Sequence, residues 1–92
     1  MNGREKVPVL SGGRFHGKPL RVAEADGFRI RESAYLNGFK TPWHRHDCDY
    51  LAFFLRGTSL QAFASKTLHC NAGTLVFHSL DEVHRDTFFA PE

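Results

Sequence analysis

Residues 38–57 read GFKTPWHRHDCDYLAFFLRG, and this stretch decides the fold prediction for the chain. Two histidines, His44 and His46, stand one residue apart between two bounding glycines. Side chains of a β-strand alternate between its faces, so both imidazoles are predicted to point the same way, about 7 Å apart along the strand. That separation suits either two ligands of one metal ion or two packing histidines inside a β-structure.

The rest of the chain continues the strand pattern. Short apolar and β-branched runs are separated by Gly, Asn and Asp; they are LRVAEADG, FRIRESAYLNG, YLAFFLRG, SLQAFAS, KTLHCNAG, TLVFHSL and HRDTFFA. Turn residues at intervals of about 8 to 12 positions are typical of a sandwich or a small barrel. We therefore predict an all-β domain over residues 20–92, preceded by an irregular arm over residues 1–19 in which glycines and prolines interrupt any regular structure.

Composition and charge exclude several classes of function. Twelve Lys and Arg against ten Asp and Glu leave a net charge of +2, and the basic residues are scattered, which gives no support for direct nucleic-acid binding. The chain has no apolar run of the roughly 20 residues that cross a membrane and no apolar signal segment near its N-terminus. We expect a cytoplasmic protein that does not contact membranes, with Cys48 and Cys70 as reduced thiols.

A third histidine turns the pair into a plausible metal site. His78 and His84 follow one hairpin later, on strands that an antiparallel barrel can place beside the first pair. Three imidazoles suit a divalent transition metal, Zn, Fe, Ni or Cu, and leave a coordination position open. His84 is the preferred third ligand. The turn at residues 80–82 interrupts the strand parity that would otherwise align His78 with it, so we expect His78 to be a core or rim histidine.

The histidine stretch resembles the first sequence motif of the cupin superfamily. That motif runs Gly, five residues, His-x-His, three or four residues, Glu, six residues, Gly. Gly38, His44, His46 and Gly57 stand at the matching positions, and Tyr50 replaces the glutamate.

The stretch GTLVFHSLDEVHRDTF, residues 73–88, resembles the second cupin motif. Gly73 and His84 match its glycine and histidine, whereas Ser79 stands for the proline, Asp81 for the second glycine and Phe88 for the asparagine. Among cupins, the combination looks most like the N-terminal sensory domain of AraC-type transcription regulators.

The resemblance implies a small cupin barrel of the double-stranded β-helix or jelly-roll kind, with His44, His46 and His84 as metal ligands. Sensory cupins bind a small effector or mediate dimerisation, and a separate helix-turn-helix region binds DNA. No such region is recognisable in this sequence. The sequence ends a few residues after the second motif, where cupins usually add a strand, so we expect an open edge covered in a homodimer.

The other residues near the motifs have two readings each. Tyr50 is expected to donate a hydrogen bond to a bound ligand or to pack, since its phenol ligates a metal only when deprotonated. Trp43 and His78 are candidates for the wall of the ligand pocket. His16 and His69 are predicted to lie on the surface, and four phenylalanines are assigned to the barrel core: Phe53, Phe63, Phe77 and Phe88.

The sequence thus favours a small-molecule-binding or sensory cupin domain with a divalent metal site. The alternative is a small metal-dependent cupin enzyme of the oxygenase, isomerase or lyase type, built on the same three histidines. No catalytic residue follows from the pattern, because no candidate base has surroundings from which a shifted pKa can be argued. A third reading is an oligomerisation unit whose pocket is unused.

Overall fold

The computed structural model describes residues 7–11 and 14–91, so the predicted arm over residues 1–19 lies partly outside the described residues. The described residues form strands and turns, which confirms the all-β prediction. Their strands are β1 (Val9–Leu10), β2 (Lys18–Ala25), β3 (Phe28–Ala34), β4 (Arg45–His46), β5 (Tyr50–Phe53), β6 (Thr58–Ala62), β7 (Thr67–Asn71), β8 (Leu75–His78) and β9 (Arg85–Phe89). Within these ranges, no helix is long and apolar enough to cross a membrane.

The strands pair as four small sheets. β2 and β3 form an antiparallel hairpin, β5 pairs with β8, and β6 lies between β7 and β9, all antiparallel, while β1 runs parallel to β4. Each of the seven predicted runs overlaps one of the longer strands. Over the part of the chain that the structure describes, these sheets are not joined into one closed barrel.

Two isolated bridges attach the segment before β4 to β9. His44 pairs with His84, and its backbone N–H donates to the His84 carbonyl oxygen at 2.9 Å while His84 returns the same bond at 2.9 Å. Lys40 pairs with Thr87 further along the same edge. This pairing sets His44 directly opposite His84, as the sequence interpretation required of two ligand histidines on neighbouring strands.

The interior is polar and the exterior carries much of the apolar surface. Eight polar or charged residues are buried: Thr41, His44, His46, Ser59, Gln61, His78, His84 and Asp86. Of the described hydrophobic residues, only Cys70 and Val76 are buried in the same sense. The assignment of Phe53 and Phe77 to the core is wrong, because both lie on the outward face of the β5–β8 sheet, opposite Tyr50 and His78.

The inward phenylalanines agree better with the prediction. Phe63 and Phe88 are half-buried, and the Phe88 ring stacks on Tyr35 with centroids 3.6 Å apart and planes inclined by 6°. The outward position of Phe53 and Phe77 follows from strand alternation: Tyr50 and His78 take the inward positions, so their neighbours must face out. Histidines occupy the space that the sequence interpretation gave to phenylalanine.

The β2–β3 hairpin stands apart from the other strands. Every residue of β2 is exposed, and β2 and β3 pack on no other described strand. A register shift between Pro19 and Arg21 marks a β-bulge at its base. The hairpin projects from the body of the protein.

Gly57 is required by both its backbone angle and its surroundings. Its φ of +73° is in the left-handed region, and a Cβ there would run into the Phe89 carbonyl oxygen. Gly73 has a similar φ of +90° but nothing within 4 Å of a Cβ. A side chain at Gly73 would therefore add backbone strain alone, whereas a side chain at Gly57 would add both backbone strain and a steric clash.

Gly57→Ala is expected to lower the free energy of unfolding by more than Gly73→Ala, which should cost about 1 kcal/mol from backbone strain alone. The added cost at Gly57 arises because β9 must move away from β6 to admit the methyl group. Urea denaturation of both variants beside the parent measures the difference. Equal losses would contradict the close packing of Gly57 on Phe89.

Candidate metal centre

Three histidines from two segments of the chain meet in the interior. His46 lies on β4, His44 immediately precedes it, and His84 immediately precedes β9. One ring nitrogen from each lies within 4.8 Å of the others, close enough for all three to hold a single metal ion. Their exposed fractions are 2%, 2% and 1% for His44, His46 and His84. The structure thus brings together the three ligands predicted from the sequence.

His44 is oriented by a backbone carbonyl. Its Nδ1 lies 2.8 Å from the Pro42 oxygen, which has no proton to give, so Nδ1–H is the donor. The Nε2 atom then carries the lone pair and points toward the cluster, where it lies 3.7 Å from the nearer carboxylate oxygen of Asp86. A backbone or carboxylate partner on the second ring nitrogen is the usual support of a metal-ligating histidine.

His84 has the corresponding support from a carboxylate. Its Nδ1 donates to Asp86 Oδ1 at 2.9 Å, which leaves Nε2 as the acceptor. The backbone N–H of Asp86 donates to Thr41 Oγ1 at 3.0 Å, so the carboxylate is itself held in place. Asp86 is a site residue that the sequence interpretation missed. Its signal is the spacing His84-x-Asp86, which places both side chains on one face of a strand.

His46 has buried nitrogens without hydrogen-bond partners. Neither Nδ1 nor Nε2 is hydrogen-bonded to any described residue. A buried polar atom left unpaired costs about 1 to 3 kcal/mol, so such an atom in a folded protein calls for a partner. A metal ion held by His44 and His84 would accept the lone pair of one His46 ring nitrogen, and three imidazoles fit a divalent transition metal.

Burial keeps His44 and His46 neutral. Loss of hydration, followed by charge repulsion from the neighbouring His44 and His84, lowers the pKa of His46 to about 3. Burial also lowers the pKa of His44. Neutral imidazole is the form that binds metal, so these two ligands are ready at neutral pH without releasing a proton.

Tyr50 and His78 form a second layer beside the cluster. The Tyr50 hydroxyl donates to His84 Nε2 at 3.2 Å, and its ring stacks on His78 with centroids 4.6 Å apart. Burial raises the pKa of Tyr50, so the phenol remains protonated. It therefore competes with a metal ion for the His84 lone pair rather than serving as a ligand.

His78 is fully buried, and neither ring nitrogen has a hydrogen bond to a described residue. Its Nδ1 is 3.5 Å from Glu82 Oε1, at the outer limit of an interaction. Burial, followed by the neighbouring His84, lowers the pKa of His78 to about 4. The His78 ring packs beside the three-histidine cluster, 4.6 Å from the His84 ring, and is not part of the cluster itself.

Phe15 and His16, from the predicted N-terminal arm over residues 1–19, cover the histidines. The Phe15 ring lies 4.7 Å from the His46 ring and 5.1 Å from the Tyr50 ring. The His16 ring lies 4.8 Å from that of His44, although His16 is otherwise exposed as predicted. The sequence offered no motif for this cover, because it depends on the path of the chain rather than on residue spacing.

A groove of about 910 Å³ opens beside the cluster. Trp43 and Phe63 are among its lining residues, and the Phe63 ring lies 6.1 Å from the His84 ring. Lys66, Asp81 and Glu82 add one basic and two acidic side chains to the wall. The placement of Trp43 agrees with its predicted position at a pocket mouth. A second groove of about 520 Å³ lies at the hairpin turn, remote from the histidines in sequence and lined by residues 24–29.

The remaining candidates lie outside the cluster. Cys48 and Cys70 are free thiols, and Cys48 lies in the turn between β4 and β5. Arg45 pairs with Asp81 at 2.9 Å, and the Arg85 guanidinium lies 4.9 Å from the centre of the Trp43 ring. The arginines near the motifs thus support the loops around the site.

The metal-free protein is expected to lose stability as the pH falls from 7.5 to 5. His46 and His78 have folded-state pKa values near 3 and 4, below the unfolded value of about 6.5, so the unfolded chain binds more protons in this interval. The contribution of each neutral histidine to the free energy of unfolding is complete above about pH 6.5. Below that pH it declines by about 1.4 kcal/mol per pH unit for each histidine.

Urea denaturation in the presence of a chelator measures this dependence. His78→Phe keeps a ring against Tyr50 and should reduce the slope by about one proton. A variant with the parent's slope would show that His78 protonates freely in the folded state.

Comparisons with known proteins leave the chain without an assigned family. No protein-family model, no curated protein and no solved structure matches it. The geometry of the histidine cluster is therefore the basis for assigning a function.

Proposed function

We propose that this protein is a small-molecule-binding domain of the cupin kind that holds a divalent transition metal through His44, His46 and His84. The observation that carries the proposal is the set of ring nitrogens. Hydrogen bonds from Nδ1 leave the Nε2 lone pairs of His44 and His84 directed inward, and His46 has both nitrogens buried without hydrogen bonds to described residues. Three imidazoles arranged in this way form a ligand set that suits a divalent cation.

The backbone supports the cupin interpretation. The three glycines that match cupin motif positions, Gly38, Gly57 and Gly73, all have positive φ, at 80°, 73° and 90°. Asp81 stands where the second motif has a glycine and also has positive φ, at 65°. The turn conformations that the motif glycines serve are thus present, including at a position where the glycine itself is replaced. We extend the proposal to a jelly-roll arrangement on this ground.

The groove beside the cluster supports a small organic ligand. Its volume is within the range of about 300 to 1,000 Å³ typical of ligand sites, and Trp43 and Phe63 provide aromatic surface. A bound metal would supply a Lewis-acid centre for an anionic or carbonyl group of that ligand. The residues of the chain bind and orient: Phe63 borders both the groove and the histidines, and Glu82 and Lys66 offer one acceptor and one donor.

In this proposal the protein acts as an effector-binding unit resembling the sensor domains of AraC-type transcription regulators, in the cytoplasm. The two free thiols agree with a reducing compartment. A metal-dependent enzyme is the second candidate. The observation that favours it is the protonated Tyr50 hydroxyl beside His84 Nε2, which is placed to donate a proton to a molecule bound near the metal.

Metal-free parent protein is expected to bind about one equivalent of Co²⁺ or Zn²⁺, because three buried imidazoles supply the protein ligands of an open site. Each of His44→Ala, His46→Ala and His84→Ala should lose at least about 100-fold in affinity. Isothermal titration gives the affinity, and the visible absorption of Co²⁺ reports nitrogen ligation directly.

His69→Ala is the matched control, because His69 lies on β7 with its side chain exposed. It should bind as the parent does. Absence of binding by folded parent protein, or equal binding by the parent and the three cluster variants, would overturn the proposed site. Turnover of a substrate by the metal-loaded protein would favour the enzyme over the binding domain.

Asp86→Asn is expected to lower metal affinity by about 10- to 100-fold while leaving one equivalent bound, because the carboxylate orients His84 and raises the basicity of its ring. The same titration measures the loss. Asp49→Asn is a suitable control: Asp49 accepts a hydrogen bond from the Leu80 backbone at 2.6 Å in an exposed turn and does not contact the cluster. Similar affinities for the two variants would show that Asp86 does not support the ligand.

A further inference from the structure

The outward face of the β5–β8 sheet is apolar. Leu51 pairs directly with Phe77, and Phe53 pairs with Leu75. Their exposed fractions are 64% and 59% for the first pair and 56% and 59% for the second. The four side chains form one cross-strand cluster without a charge in it. We call this cluster the sheet patch.

The projecting β2–β3 hairpin carries a second apolar face. Phe28 pairs with Ala25, and Ile30 pairs with Ala23, so these four side chains share one side of the hairpin. Phe28 is 74% exposed and Ile30 is 69% exposed.

The opposite side of the hairpin is charged. It carries the ion pair between Arg29 and Glu24, at 2.6 Å. The hairpin is therefore an amphipathic arm whose apolar side meets no other described strand. We call the apolar side the arm patch.

We propose that two copies of this chain associate around a two-fold axis, with the arm patch of each copy packed on the sheet patch of the other. The two patches are complementary in form, since one is a flat sheet surface and the other is a projecting ribbon. They are also present in equal number in one chain, so a reciprocal exchange covers both at once. Such an exchange is a closed isologous interface, which two copies complete without leaving a patch exposed.

The available area agrees with a dimer. Leu55 follows β5 with the parity of the sheet patch, and its exposed fraction is 61%. With it, the large apolar side chains of the two patches offer about 900 Å² per chain, against about 800 Å² per partner in a standard interface.

The need for cover comes from the chain itself, which favours a second copy over an occasional partner. In the described residues, Cys70 and Val76 are the buried hydrophobic residues, whereas the large apolar side chains of the two patches are all more than half exposed. A domain of this size has little core to hold it together without association. Neither patch carries a charge at the paired positions that define it. The next pair on the same side of the hairpin is Arg21 with Glu32, which form an ion pair at 3.9 Å and border the arm patch.

Sedimentation equilibrium over a range of concentrations tests the proposal. The parent is expected to be a dimer. Phe28→Lys/Ile30→Lys, which charges the arm patch, and Leu51→Glu/Phe77→Glu, which charges the sheet patch, should each raise the dimer dissociation constant by at least about 100-fold. Leu36→Lys is the control; Leu36 is 82% exposed outside both patches, and this variant should remain a dimer.

Mixing the two charged variants separates this arrangement from any other dimer. In a heterodimer of the two variants, one interface joins an unaltered arm patch to an unaltered sheet patch. The other interface joins an arm patch with two lysines to a sheet patch with two glutamates, whose charges attract. We expect the mixture to form heterodimers although each variant alone is monomeric. If either variant is unfolded alone, co-refolding the two should yield the folded heterodimer.

The proposal fails if the folded parent is monomeric at 100 µM. In that case binding of the patches to lipid vesicles or to another protein would identify a different occupant. It also fails if both charged variants remain dimers, or if the mixture, refolded together, gives no heterodimer.

Discussion

The antiparallel pairing of His44 with His84 is the constraint on which the rest of the site depends. Two reciprocal backbone hydrogen bonds join the segment before β4 to the segment before β9. Residues that are directly opposite on antiparallel strands present their side chains on the same face, so the two imidazoles meet with ring centroids 4.3 Å apart. His46 and Asp86 then join them because each lies two residues further along one of these strands.

Strand periodicity accounts for the part of the site that could be predicted from sequence. The spacing of His44 and His46 gave their common direction, and the expected return of a later strand gave His84. Asp86 follows from the same periodicity, through the spacing His84-x-Asp86, but no second feature of the sequence marks this aspartate as a site residue. The roles of Phe15 and His16 could not be predicted, since their contacts depend on the route of the N-terminal segment across the histidines.

The same periodicity gives the strands but leaves the direction of their faces open. In Tyr50–Phe53, polar or small residues alternate with large apolar ones, and the apolar set is normally the inward one. Here Tyr50 and His78 face inward, so Leu51 and Phe53 face outward. The interior is held by polar contacts such as Ser59 Oγ to the Thr87 carbonyl oxygen at 2.9 Å, which the hydrophobic pattern does not encode.

Loop closure gives the three-histidine cluster a role in the topology of the chain. His44 and His84 are about 40 residues apart, and the cost of bringing such distant positions together is chiefly entropic. A ligand that binds the closed arrangement and not the open chain stabilises it by mass action, in proportion to its affinity. An ion held between β4 and β9 would thus act as a reversible cross-link, tying the first half of the chain to its last strand where apolar packing is sparse.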